Sequence, residues 1–305
     1  MKKTGLSCLM LLLTGVVSAH SMAADTVSIK QLSVSQIHPT QPAVGYDEIL
    51  YKVAKYKANP GELFNSFCEE NGAGKASHYD SQSLITKPTS FTCQSAYGTY
   101  PDEVKSAVIA PDHQVYLTDG HHTVSVYRDI AGSQDFTYSV RITNDLSSLP
   151  NMAAFWTWMQ QHNLTWLKDP AGNAVTPADL PAQVGMKFMA NDTYRSVLYF
   201  LRSVSYKKPK NAPPFLEFYL GDWLRHHQPA TQSDLTTKAG YAAYLSKAAR
   251  AMVSADGSQH TTSDASSPTL DQLGKMDSVN QKKLDKLSKP DGKLSVLFSG
   301  ATAKS

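Results

Sequence analysis

Residues 115–128 read Val115-Tyr116-Leu117-Thr118-Asp119-Gly120-His121-His122-Thr123-Val124-Ser125-Val126-Tyr127-Arg128. The β-branched and aromatic content up to Thr118 suits a short strand, and Asp119-Gly120 breaks it. Val124, Val126, Tyr127 and Ile130 then return at helical spacing, so the stretch predicts strand, tight turn and helix. Asp119 stands where an N-cap belongs, and Gly120 allows a sharp turn or a close backbone approach. The first amides of such a helix lack internal partners and carry the positive end of its dipole. A phosphate or carboxylate can bind there, beside two imidazoles. On the residues alone, a plain turn with a capping Asp and an idle surface His pair is the competing interpretation.

Outward from this stretch the chain reads as α+β. Upstream, Val27 to Ile37 predicts a strand, and Pro39 to Gly45 a loop. A helix capped by Asp47 follows, with Ile49, Leu50, Val53 and Ala54 on one face. A second helix starts at Pro60 and stops at Asn71-Gly72, with Leu63, Phe64, Phe67 and Cys68 inward. Gly72 to Tyr100 is polar and predicts a long loop. Val104 to Ala110 and the Pro111 to Gln114 turn complete a hairpin that delivers Asp119, and Phe136 to Ile142 adds a strand.

After Leu146 to Asn151 the pattern turns helical. Phe155, Trp156, Met159 and His162 form a core-type stripe, and helices are expected over Tyr194 to Tyr206, Phe215 to His227 and Ser233 to Val253. Arg225-His226-His227 at a helix end complements its dipole. Lys207, Lys208 and Lys210 read as a solvated loop. Ser254 to Ser267 reads as a linker, and the remainder as a sparse tail with a short amphipathic helix around Leu284 to Leu287. The expected organisation is a signal segment at 1–24, an α+β domain at 25–145, a helical region packed on it at 146–253, and a linker with a loosely ordered tail at 254–305.

The signal segment is read from Lys2 and Lys3, an apolar run from Leu6 to Val17, and small residues around Ser21 and Ala23. The run is short for a membrane span. No transmembrane segment is expected in the mature chain, which belongs in the periplasm or outside the cell. Of the three cysteines, Cys68 and Cys93 then remain, an even pair in an oxidising compartment, and a structural disulfide between them is predicted. The net charge of +3 over 305 residues is too small to argue for nucleic acid by itself.

Asp119-Gly120-His121-His122-Thr123, with the hairpin before it and the strand after it, resembles the signature of the ParB/sulfiredoxin superfamily, and more specifically the ParB-like nuclease family. The similarity extends to the Pro-rich box His38-Pro39-Thr40-Gln41-Pro42, to Asn191-Asp192-Thr193-Tyr194-Arg195-Ser196, and to Pro214-Phe215-Leu216-Glu217-Phe218. Sulfiredoxins carry Gly-Cys-His-Arg where this chain has Gly120-His121-His122-Thr123, so their reactive Cys and phosphate-binding Arg are missing and sulfinic acid reduction is not expected. The Arg-rich helix and helix-turn-helix of ParB itself are also missing, which argues against chromosome partitioning. What the resemblance implies is a ParB/sulfiredoxin-like small mixed sheet with helices, and a nucleotide or phosphate group held at the turn.

Two functions follow. The first is an enzyme acting on a phosphate ester, nuclease or phosphotransferase in type. Asp119 then serves as base or metal ligand, His121 or His122 moves a proton, and the amides of Gly120 to Thr123 hold phosphate. Gln41 approaches from the Pro-rich box if the superfamily arrangement is kept, and Glu48 is a further carboxylate nearby. A divalent metal at Asp119, His121 and His122 is an open cofactor assignment, although adjacent side chains on a regular helix diverge by about 100°. The second function is a non-catalytic protein that binds a nucleotide or another anion at the same turn. Partners under either are nucleic acid, a nucleotide or a small phosphorylated ligand.

Overall fold

The computed structural model describes residues 28–132 and 134–299; the expected signal segment and the last residues of the tail lie outside this range. In chain order the elements begin with β1 (Ser28–Ser33), β2 (Ile37–Pro39), β3 (Ala43–Val44), α1 (Tyr46–Ala58), α2 (Pro60–Glu70), β4 (Ala76–His78) and β5 (Thr92–Cys93). Next come β6 (Ser106–Ile109), β7 (Val115–Leu117), α3 (His121–Ile130), β8 (Thr137–Asp145), α4 (Met152–Gln161), β9 (Ala190–Asn191) and α5 (Thr193–Leu201). The chain continues through α6 (Leu216–His227), α7 (Gln232–Leu235), α8 (Lys238–Ser254), α9 (Gln281–Lys286) and α10 (Lys293–Ser299). This is an α+β fold.

The main sheet has the order β1-β8-β6-β7-β2, mixed in direction: β1/β8 and β6/β7 are antiparallel, β8/β6 and β7/β2 parallel. The strand expected over Val27 to Ile37 is in fact two, split by a 3-10 turn at Val34–Gln36 that Ser33 caps. The split has a geometric cause. β1 and β2 are opposite edges of the sheet, which if flat would stand about 19 Å apart across four gaps. Four extended residues reach only about 13 Å, and a 3-10 turn less. The sheet therefore has to curl until its edges approach. Side-chain alternation along β6 then supplies two cores. Ala107 and Ile109 face the larger one with Phe67, Tyr127 and Val140, while Val108 packs under Phe155 and Met159 of α4.

Cys68 and Cys93 form a disulfide with Cα atoms 5.6 Å apart. It fastens the end of α2 to β5, so the segment read as one long loop contains a small β4/β5 ladder. A third apolar core gathers α5, α6 and α8. Residues 254–299 were expected to be a linker and loose tail, but Leu270, Leu273, Leu284, Leu287, Leu294 and Leu297 are buried in this core. Widely spaced leucines look sparse in sequence, yet each covers a different part of a surface made elsewhere. The helix expected to run to Tyr206 stops at Leu201, and the one expected from Ser233 is two, α7 and α8. Among the described residues no helix is long and apolar enough to cross a membrane.

Closing a loop of this length restricts the unfolded chain by about 3 kcal/mol. Equilibrium denaturation with and without reductant is expected to differ by about that amount, and a Cys68→Ala/Cys93→Ala variant to match the reduced protein.

Candidate functional site

Strand β7 delivers the chain to Asp119, and α3 begins one residue later than an Asp119 cap would require. Gly120 is the N-cap, with φ 96°, and it makes no side-chain cap. That left-handed conformation favours glycine, and a Cβ there would lie 2.5 Å from Lys105 Cγ. Asp119 is exposed at the turn. Val124 is the first residue of this helix to find a carbonyl, that of Gly120 at 2.9 Å, so the amides ahead of it are the open helix N-terminus.

Both histidines are buried, and each is committed to a backbone amide. His121 Nε2 accepts from Thr40 N at 3.1 Å, and His122 Nε2 accepts from Gly45 N at 2.9 Å. They staple the two ends of the Pro-rich segment to α3. An acceptor nitrogen carries no proton, which fixes both rings as neutral with the proton on Nδ1. Burial drives the His121 pKa down to about 4, partly opposed by Asp119. Burial and the Arg195 charge push His122 well below the ordinary value. The expected role of either ring as proton carrier must therefore work against its place in the fold. The metal trio also fails to assemble: among the described residues, no group of three or more His, Cys, Asp or Glu is arranged to hold a metal ion.

The stapled segment opens α1, whose N-cap, Gly45, has no side chain to cap with. The stretch 191–196 does it instead. Asn191 Oδ1 accepts from Tyr46 N at 3.0 Å, and Ser196 Oγ accepts from Asp47 N at 3.1 Å. A Cβ on Gly45 would come within 2.8 Å of Ser196 N, so this docking requires glycine. Asp192 caps α5 itself by accepting from Arg195 N at 3.0 Å.

Arg195 enters the site from α5. Its Nη1 donates to Glu48 Oε2 at 2.8 Å, and Lys52 Nζ holds Glu48 Oε1 at 2.8 Å. Burial opposes ionisation of Glu48, but the basic groups around it keep its carboxyl well below the usual range. His122 Nε2 stands 3.9 Å from Glu48 Oε2 and stays neutral between them. Glu48 thus anchors Arg195 and makes no direct contribution to the opening.

These groups meet at a cleft of about 270 Å³. It is lined by Gln41, Thr118, Asp119, Gly120, His121, His122 and Arg195, together with Leu164, Lys208, Ala212 to Phe215, Glu217 and Phe218. Of the residues singled out in the sequence, Thr123 does not line it, and Gln41 spends an amide hydrogen on Ala43 O at 2.6 Å. Arg195, Lys208 and Glu217 were not singled out as site residues. Arg195 and Glu217 lie within the two downstream stretches that carry the family resemblance, and Glu217 is also one of the two carboxylates available on the helix expected over Phe215 to His227. A larger cavity of about 670 Å³ lies by Tyr46, Leu50, Tyr194 and Leu235, but among the described residues its one charged lining residue is Asp47, which is already engaged. The smaller cleft is the chemically equipped one.

Residues 30–226 match the family described as "putative ParB-like nuclease". In structure the chain is similar to a crystal structure of an Agrobacterium tumefaciens protein, at a TM-score of 0.52 and 18% identity, over 79% of this chain and 97% of that one. At that identity the likeness concerns the fold. No curated protein matches the sequence. The chain belongs to the ParB-like nuclease family.

The staples make stability depend on pH with a definite sign. The folded His121 pKa of about 4 lies below the unfolded value of about 6.5, so acid favours the unfolded chain. Stability is complete above about pH 6.5 and is lost as pH falls toward 4, by about 2 kcal/mol at pH 5 from this ring alone. Denaturation at pH 7.5 and pH 5 checks it. His121→Gln, which offers an acceptor that does not titrate, is expected to flatten the difference; an unchanged slope would locate the acid sensitivity elsewhere.

Proposed function

We propose that this member of the ParB-like nuclease family acts on phosphate esters, in the manner of a nuclease, at the cleft between α3 and α6. The observation that carries the reading is the convergence of donors on one small opening. The free amides at the start of α3 and the side chains of Arg195 and Lys208 all border it, a donor set suited to a phosphate. Arg195 keeps donors beyond the one given to Glu48, so its charge is available to a bound anion. Asp119, exposed on the rim, can help hold a cation brought in with the substrate. Nucleic acid or a nucleotide is the partner this implies. Export, expected from residues 1–24, is consistent with a chain whose remaining cysteines are joined.

One observation favours the second reading, a protein that binds a nucleotide or another anion without turnover: both imidazoles nearest the opening are consumed by the fold. The two readings separate experimentally. Thermal unfolding is followed with inorganic phosphate, nucleotides, short DNA and RNA and divalent metals, alongside hydrolysis of the same oligonucleotides. Phosphate-bearing ligands are expected to raise the unfolding temperature, and Lys208→Ala to weaken that binding severalfold. Asp119→Asn is expected to retain affinity and lose turnover. Binding with no hydrolysis by the unaltered protein would select the second reading, and no stabilisation by any anion would remove both.

A further inference from the structure

Glu217, in the first turn of α6, is 7% exposed and lines the cleft. Its Oε1 accepts from Arg202 Nη2, while Tyr206 OH, 3.5 Å from it, gives its proton to Leu198 O at 2.9 Å. Its other oxygen, Oε2, has no hydrogen-bond partner among the described residues, yet it is not among the buried atoms sealed off from contact. One oxygen is therefore tied to Arg202 and the other is left open, on a residue that lines the cleft. Reachable by solvent and belonging to a residue that lines the cleft, Oε2 is free to bond a molecule that enters it.

We propose that Glu217 is the group that takes a proton from the water attacking a bound phosphate ester, an inference that rests on the phosphate-ester reading above. The neighbouring imidazoles are poor candidates, because protonating either nitrogen that faces Thr40 or Gly45 would break a staple of the fold. Asp119 is exposed and lacks the fixed orientation that Arg202 gives Glu217. In the step, Oε2 removes one proton from water as the water oxygen bonds to phosphorus. The phosphorus bond to the leaving oxygen breaks and its electron pair stays on that oxygen, which takes a proton from solvent. Glu217 then returns its own proton to solvent, so the sum is ester plus water giving phosphate and alcohol. Arg195 and Lys208 face the developing negative charge.

The charged and titratable groups around Glu217 are Arg195 of α5, Arg202 and Tyr206 just beyond it, and Lys208 of the following loop. Burial raises its pKa, but the cations outweigh burial and hold it below the ordinary carboxylate value. The base form thus persists into acid, at some cost in basicity.

The test uses the disulfide-bonded protein, bis(p-nitrophenyl) phosphate, and end-labelled single-stranded and duplex DNA and RNA, with magnesium or manganese ions. Glu217→Gln keeps the shape and is expected to lower turnover by about 100-fold or more. Inorganic phosphate should still raise its unfolding temperature, which separates lost chemistry from a lost fold. Glu217→Asp should restore part of the rate, and the unaltered enzyme should stay active down to about pH 5, below the range where an imidazole base titrates. A Gln variant within about threefold of the unaltered rate, or an acidic limb near pH 6.5 that persists in it, would overturn the assignment and leave the phosphate-ester reading standing. Phosphate binding without hydrolysis of any probe would overturn the base and retain an anion site. If phosphate neither binds nor is released, the reading beneath the inference fails as well.

Discussion

The amides of Thr40 and Gly45 are buried donors, and each finds an imidazole nitrogen. Leaving either unpaired would cost about 1–3 kcal/mol. The rest of the arrangement depends on this constraint. Consecutive side chains on a helix diverge by about 100°, so His121 and His122 reach two different points on the facing loop. The divergence that keeps them from one metal ion is what lets them hold a loop at both ends. With the loop held, Gly45 can meet Ser196, α1 receives its caps from residues 191–196, and Arg195 is brought to Glu48.

Legibility in the sequence followed the range of the interaction. The strand, turn and helix around Asp119 were readable because turn chemistry and periodicity act over a few residues. The disulfide was readable from cysteine count and compartment. The curl of the sheet was not, since it follows from β1 and β2 occupying opposite edges, and a strand pattern says nothing of its neighbours. The six tail leucines were misjudged because their partners lie on α5, α6 and α8, outside any local window. The Arg195–Glu48 pair spans 147 positions, and no spacing rule connects residues so far apart. The resemblance reached Arg195 and Glu217 only as members of quoted stretches, with no role attached.

Electrostatics divides the cleft into a fixed floor and an open rim. Glu48 is enclosed between Arg195 and Lys52, and Glu217 is bound to Arg202; all but Lys52 and Arg202 are nearly fully buried. Placing such charges out of water is unfavourable unless each is matched, so the positions of these groups are narrowly specified. Asp119 and Lys208 are exposed and carry no such constraint. A bound anion would therefore meet preset charge at the floor and adjustable charge at the rim, which is the order in which preorganisation is most useful.

The departure from the superfamily pattern acquires a physical sense here. Where sulfiredoxins carry Gly-Cys-His-Arg, this chain has Gly120-His121-His122-Thr123. The position matching their Arg holds Thr123, which does not line the cleft, and the position matching their Cys holds a staple of the loop. The turn keeps its amides but supplies neither a nucleophile nor a guanidinium. In this protein a guanidinium reaches the same cleft from α5, through Arg195, and a carboxylate reaches it from α6, through Glu217. Both of those helices lie after the sheet in the chain, so the small α+β unit cannot build this cleft without the helical part packed beside it.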